Sequence, residues 1–376
     1  MSTKEEKETR NAEDTQILEY LRERGDEIQS KLSFGRRRDV LNVAAREVLF
    51  KDQLDEVFTK HLAGKYYPGK MYVPKKYAEP EIALSLNLSD LHYHSLLDPR
   101  EVPLPYGPVE EARRTAAVAV WIAGHIKDVK KRRKTKLFIN LLGDIIQNQL
   151  HDPRDGAPLT AQFAASVHLL TQLIVYLAGQ EFFEIVVNCT PGNHGRNTAR
   201  HKDRATNQKW DAIETMIYYA IKKAVAHLPN VKVNLPYTPF FIYEVCGHSI
   251  FGTHGDTVIK PGYPNKAINV EHVRAQVNEI NGKLEHHKRH KVFVVGHVHV
   301  SSKTKLPNQV YFLSNGCLIP TDPYAQSIGI TDTATCQTMF ETTPDHSVGF
   351  HCDIDVNEQT DRDKALDKVI QPFISL

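Results

Sequence analysis

Apolar residues recur along this chain with two different periods. From Glu81 onward, short runs rich in β-branched and aromatic residues alternate with longer stretches whose apolar positions return every three or four residues. The runs 82–88, 136–142, 182–189, 231–235, 240–245, 249–252, 292–295 and 310–314 predict strands. The stretches 109–127, 159–177, 207–228 and 270–286 predict helices. Strands alternating with helices predict an α/β layered core over residues 81–320. Residues 346–356 alternate in polarity and predict an edge strand within a C-terminal extension and tail, 321–376. Upstream, residues 1–14 are polar and read as a disordered tail. Ile17, Leu18, Tyr20 and Leu21, then 38–49 and 54–62, predict short helices in an N-terminal appendage ending near residue 80.

Five of the predicted strands end in residues that bind metals or move protons. Ile82–Leu88 is followed by Ser89-Asp90-Leu91-His92. The 136–142 strand is followed by Gly143-Asp144. Residues 185–189 lead into Thr190-Pro191-Gly192-Asn193-His194. Ile250 and Phe251 lead into Gly252-Thr253-His254-Gly255-Asp256. Val292–Val295 leads into Gly296-His297-Val298-His299. In open α/β sheets, ligands bind beyond the carboxyl ends of the strands. Residues i and i+2 of an extended segment project to one face, so His297 and His299 can serve one site. Any single motif here has an ordinary structural explanation. Five in succession, each with oxygen or imidazole donors suited to divalent transition metals, point to one shared centre.

Bulk composition narrows the picture further. The chain has 376 residues, 41% apolar and 24% charged, with a formal charge of +2. That balance supplies no global field for nucleic acid or membrane. No uninterrupted run of about 18 apolar residues occurs, and the first residues lack a secretory signal pattern. Five scattered cysteines without a Cys-x-x-Cys spacing read as free thiols of a reducing compartment, so a cytoplasmic location is expected. Histidine is abundant, at nineteen residues.

The succession Asp-x-His, Gly-Asp, Gly-Asn-His, His-Gly and Gly-His-x-His resembles the calcineurin-like metallophosphoesterase superfamily, over about residues 81–318. The resemblance implies a four-layer α/β/β/α sandwich and two divalent cations, Mn2+ foremost, with Mg2+, Fe2+, Zn2+ or Ni2+ as alternatives. One cation would take Asp90, His92, Asp144 and His299. The other would take Asp144, Asn193, His254 and His297, with Asp144 shared. The pair would activate a water for in-line attack on phosphorus, with His194 as the general acid that protonates the leaving oxygen. Two positions depart from the family pattern. Gly195 stands where an acidic residue commonly follows Gly-Asn-His, which leaves Asp256 as a candidate to orient His194. Gln147 stands where repair nucleases of the superfamily often carry a histidine; His94 and His151 are nearby and read as solvated loop residues.

The basic runs 130–134 and 286–291 precede their strands and are expected at the end remote from the site. Arg196, Arg200, Lys202 and Arg204 directly follow His194 and are candidates to hold flanking phosphates. Tyr93 and Tyr263 are candidates to stack on bases. The resemblance extends to SbcD-type DNA repair nucleases, in a phage or prophage version on the runs 143–147 and 152–156. It implies a DNA exo- or endonuclease in a bacterial or phage-infected cytoplasm, with DNA as partner and no membrane; a homodimer and a separate ATPase partner stay open. The chain itself has no Walker-type loop. A small-molecule phosphatase or cyclic-nucleotide-type phosphodiesterase is the alternative activity. A non-catalytic scaffold is a third reading.

Overall fold

The computed structural model describes residues 55–374 apart from 57, 61, 63–64, 75–81, 99, 103–105, 149–155, 197–208, 210, 263–267, 324–325, 327–334 and 357–365. The N-terminal helices expected before residue 54 lie outside the described residues. The chain divides into Met1–Lys60 and His61–Leu376, and the second unit carries both sheets.

In the first sheet, β1 (Ile82–Leu88), β2 (Thr135–Leu141), β3 (Glu184–Cys189) and β4 (Val231–Asn234) pair in parallel. Helices α1 (Pro108–His125), α2 (Leu159–Ala178) and α3 (Ile213–Ala224) connect them. Two antiparallel strands extend the sheet beyond β1. The second sheet has the order β5 (Phe240–Val245), β6 (His248–Thr253), β7 (Val292–Val295), β9 (Val310–Ser314), β8 (Ser302–Leu306). Helix α4 (Val270–Gly282) joins β6 to β7. The two remaining strands, β10 (Cys336–Thr342) and β11 (His351–Asp355), belong to the first sheet, with β10 beside β1 and β11 at the edge. The expected alternating segment thus supplies the edge, whereas β10 and β8 were not foreseen.

Side-chain alternation assigns the layers. Ala83, Phe138, Val186 and Phe340 of the first sheet share one buried cluster with Phe241, Tyr243, Ile250, Val292 and Leu313 of the second. Their neighbours Leu84, Leu86, Leu137, Ile139, Ile185 and Val187 are equally buried and face the opposite way. That face lies under α1 and α2, which contact each other, and α3, which contacts α2. On the far side, Phe251, Phe293, Val295 and Phe312 pack against Val273 and Val277 of α4. The order is helix, sheet, sheet, helix, as the resemblance implied. Helix α2 contains no charged residue, and by length and apolarity it would suffice to cross a membrane. In this fold it is a core helix, with 72% of that window buried.

Between the sheets runs a row of polar side chains. Asn87, Asn140, Asn188 and Asn234 stand in register across β1 to β4. Asn140 Nδ2 donates to Asn87 Oδ1 at 2.9 Å, Asn188 Nδ2 to Asn140 Oδ1 at 3.1 Å, and Asn234 Nδ2 to Asn188 Oδ1 at 3.0 Å. Asn87 Nδ2 continues the row to Thr338 Oγ1 in β10, whose hydroxyl donates to Asn315 Oδ1 just after β9. A one-residue slip of any strand would leave buried amides unpaired, so the row fixes register just below the strand ends that carry the chemistry. Replacing Asn140 strands Asn87 Oδ1 and Asn188 Nδ2 without their partner. Asn140→Leu should therefore lower unfolding free energy by about 2–4 kcal/mol in urea titration; a loss below about 1 kcal/mol would contradict the register role.

Candidate metal centre

The carboxyl ends of β1, β2, β3, β6 and β7 meet at one rim. Asp90 N–H donates to Gly143 O at 3.1 Å, and Leu91 and His92 N–H donate to Asp144 O at 2.8 and 3.1 Å. Gly296 N–H donates to His254 O at 2.8 Å. His297 N–H donates to Asp90 Oδ2 at 2.9 Å, which ties the two sheets together. Backbone at the rim is strained: Asp90, His92, Asp144, His297 and His299 all have positive φ, between 47° and 73°. Non-glycine residues seldom adopt that region, and such strain concentrates at functional sites. Gly192 marks the closest approach, because a Cβ there would lie 2.0 Å from Asp144 Oδ1.

Three overlapping groups of donors result: Asp90, His92 and His299; His92, Asp144 and His194; and Asp144, His254 and His297. Within each group the donor atoms lie within 4.8 Å of one another. His254 Nε2 is 3.0 Å from Asp144 Oδ2 and 3.0 Å from Asn193 Oδ1. His299 Nε2 is 3.2 Å from Asp90 Oδ1. All eight candidate residues from the sequence therefore converge.

The donor set fits cations on physical grounds. Both ring nitrogens of His92 are buried with no hydrogen-bond partner among the described residues. Leaving such groups dry and unpaired is costly, and a cation resolves the cost. His254 Nδ1 donates to Leu142 O at 2.8 Å, since a carbonyl only accepts, which aims Nε2 into the group.

Charges at the rim are sharply partitioned. Burial alone would raise Asp90, but positively charged His299 and His254 outweigh it and hold the carboxyl at about 2. Burial works against Asp144 ionising in the same way, and His254 and His194 carry it well below the usual range. Burial opposes protonation of His254, yet the Asp144 carboxylate raises it to about 9. Burial and the adjacent His254 lower His297 to about 4.

Several candidates fall elsewhere. His194 Nδ1 donates to the Gln147 carbonyl at 2.7 Å, so Gln147 orients that ring. Asp256 instead forms a buried ion pair with Lys209, which corrects the expectation that it holds His194. His94 is no solvated loop residue: its Nδ1 meets Glu111 Oε2 at 3.1 Å and its N–H donates to Glu111 Oε1 at 2.6 Å. Tyr93 is buried with its hydroxyl on Thr115 at 2.8 Å, so it cannot stack on a base. Arg196 bridges Ala212 across the loop, while Arg200, Lys202, Arg204, His151 and Tyr263 lie outside the described residues. The basic turn Val129–Arg132 precedes β2, at the end away from Asp144, as expected.

One buried acid at the rim carries almost no sequence signal. Glu214, second residue of α3, is fully buried and accepts from Ile145 N–H at 2.6 Å and from Gly192 N–H at 2.7 Å. Burial and then the Asp144 charge push it up to about 7. Only its place in the first turn of an amphipathic helix distinguished it in the sequence.

No family model matches this chain, and no curated protein matches it. Solved structures do. A conserved uncharacterized protein, predicted phosphoesterase, from Streptococcus pneumoniae TIGR4 is 13% identical, with 74% of this chain and 98% of that chain covered and a TM-score of 0.30. A Vps29 single mutant from Entamoeba histolytica is 12% identical over 72% of this chain and 98% of its own, with a TM-score of 0.28. The 5'-nucleotidase of Candida albicans SC5314 is 10% identical over 80% of this chain and 59% of its own, with a TM-score of 0.33. The chemistry of this chain is read from its own side chains.

Cation loading should release protons. His254, raised to about 9, is protonated at pH 7 and must lose that proton before Nε2 can bind a cation. The sign follows: a raised histidine adds stability below its unfolded value that is lost as pH rises through about 9, and cation affinity grows over the same rise. Calorimetric titration with Mn2+ at pH 7 in two buffers of different ionisation enthalpy should show net proton release. Buffer-independent heats would contradict it.

Proposed function

We propose that this chain is a dinuclear-metal-dependent phosphodiesterase, with DNA as its substrate class. The observation that carries the reading is the position of Asp144, which belongs to two of the three donor groups and stands between them. Asp90, His92, Asp144 and His299 would hold one cation, and Asp144, Asn193, His254 and His297 the other. Two divalent cations, when bound, supply the charge that clamps a phosphate and makes water nucleophilic at neutral pH.

The protein's own groups do the rest. Backbone N–H of His194 donates to Asp144 Oδ1 at 2.7 Å and fixes the shared carboxylate. His194, held through Nδ1 by the Gln147 carbonyl, turns Nε2 away from that bond and presents it as the general acid for the leaving oxygen. The His92 and His194 rings meet edge to face at 4.6 Å between centroids, a proximity that supports His194 as the acid. Arg196, Arg200, Lys202 and Arg204, following His194 in sequence, would hold the phosphates that flank the scissile bond. This basic run is what favours a polymeric phosphodiester over a small monoester.

Assays with Mn2+ on labelled single- and double-stranded DNA, beside bis-p-nitrophenyl phosphate, test the reading. Cleavage of DNA is expected; turnover of the small ester alone would remove DNA as substrate. Asp144→Asn should abolish turnover while the fold survives, and full activity there would remove the shared carboxylate from the mechanism. His194→Ala should keep its metal and lose roughly 10²–10⁴-fold in kcat; normal rates would contradict the acid assignment.

A further inference from the structure

Glu214 has an unusual attachment. Its two carboxylate oxygens divide between the N–H of Ile145 and the N–H of Gly192. Ile145 follows Asp144, and Gly192 precedes Asn193 and His194. One buried side chain thus grips both loops that flank the shared carboxylate. Its mount is firm: Ile213 N–H donates to Gly195 O at 2.7 Å, and Ala212 bridges Arg196, so the start of α3 is bound to the loop that carries His194. The carboxylate also lies in the first turn of α3, where the helix dipole favours negative charge.

Gly195 explains why the acid comes from a helix. A Cβ built on Gly195 would lie 2.5 Å from Glu214 Cγ, 2.6 Å from Cδ and 2.9 Å from Oε2. The space toward which residue 195 would point its side chain is therefore filled by the Glu214 carboxyl. The missing side chain at 195 and the buried acid at 214 are two halves of one arrangement.

We infer that Glu214 is a positioning residue for the metal centre: a carboxylate delivered from α3 into the side-chain space of Gly195, clasping the Asp144 and Asn193–His194 loops so that Asp144 faces both donor groups. It touches neither substrate nor the reacting atoms; it acts through Ile145 and Gly192 on Asp144. The steric overlap makes the residues exchangeable in a defined sense. A carboxylate at 195 can serve only if the one at 214 is removed. Aspartate is the matched choice, since its Cβ would start within 2.6 Å of the present Cγ and Cδ. The inference rests on the phosphodiesterase reading for its consequence in turnover, but not for its consequence in cation binding.

The test uses the full chain and four variants, Glu214→Ala, Glu214→Gln, Gly195→Asp and the double variant Glu214→Ala/Gly195→Asp. Mn2+ affinity and stoichiometry by calorimetry are read beside thermal unfolding and turnover of bis-p-nitrophenyl phosphate. Glu214→Ala should weaken Mn2+ binding by about 10–100-fold. Gly195→Asp alone should also be impaired, by collision with Glu214. The double variant should regain Mn2+ affinity to within about threefold of the parent, a compensation that generic loss of packing does not produce. If Glu214→Ala fails to fold, Glu214→Gln decides: its amide keeps one acceptor oxygen, fills the same space, and should still lose about tenfold in affinity. Parental Mn2+ affinity in the folded position-214 variant, or a double variant no better than Glu214→Ala, overturns the inference alone. A parent chain that binds no Mn2+ overturns the phosphodiesterase reading and this inference together.

Discussion

A buried carboxylate held between two sets of imidazoles is the constraint around which this molecule is arranged. Asp144 is buried and cannot stay ionised unless positive charge stands beside it, and His254, paired to its carboxylate, supplies that charge. The same arrangement leaves both His92 nitrogens without hydrogen bonds among the described residues. A protein interior tolerates such orphans where a ligand completes them. The left-handed backbone at five of the rim residues belongs to the same compromise: local strain is accepted so that side chains from two sheets aim at one point.

The scaffold is built to hold that compromise steady. Parallel strands end together, and the asparagine row fixes their relative heights one pleat below the rim. Asn315 ties the row to the second sheet, and the His297 N–H reaches across to Asp90. Two of the three donor groups combine residues from both sheets, so the packing of sheet on sheet, driven by Phe138, Phe340, Tyr243 and Val292, assembles the centre. Glu214 then closes the remaining freedom between the two loops that lie on either side of Asp144.

Much of this was legible in the sequence because apolar runs and donor residues abut in the chain. Ile82–Leu88 and Val292–Val295 are strongly apolar strands, and Asp90, His92, His297 and His299 follow within four residues. Strand β10 was not legible. Gln337, Thr338 and Thr342 are fully buried there, and hydrophobic periodicity cannot report a strand whose inner positions are satisfied by Ser89, Asn315 and Ser347 instead of by apolar contact. Strand β8 was hidden by Lys303 and Lys305, which suit an exposed sheet edge. The orienting partner of His194 was invisible for a different reason, since the Gln147 carbonyl is a backbone group that every residue carries. Glu214 lies twenty positions from His194 and is brought in by helix packing, so no local motif marks it.

Crystals of the full chain soaked in Mn2+ and measured at the manganese absorption edge give the most direct view of the shared carboxylate. Two anomalous peaks roughly 3.5–4 Å apart, with Asp144 touching both, are the result the account predicts. A single peak, or a pair that leaves Asp144 bound to neither or to one alone, would contradict it.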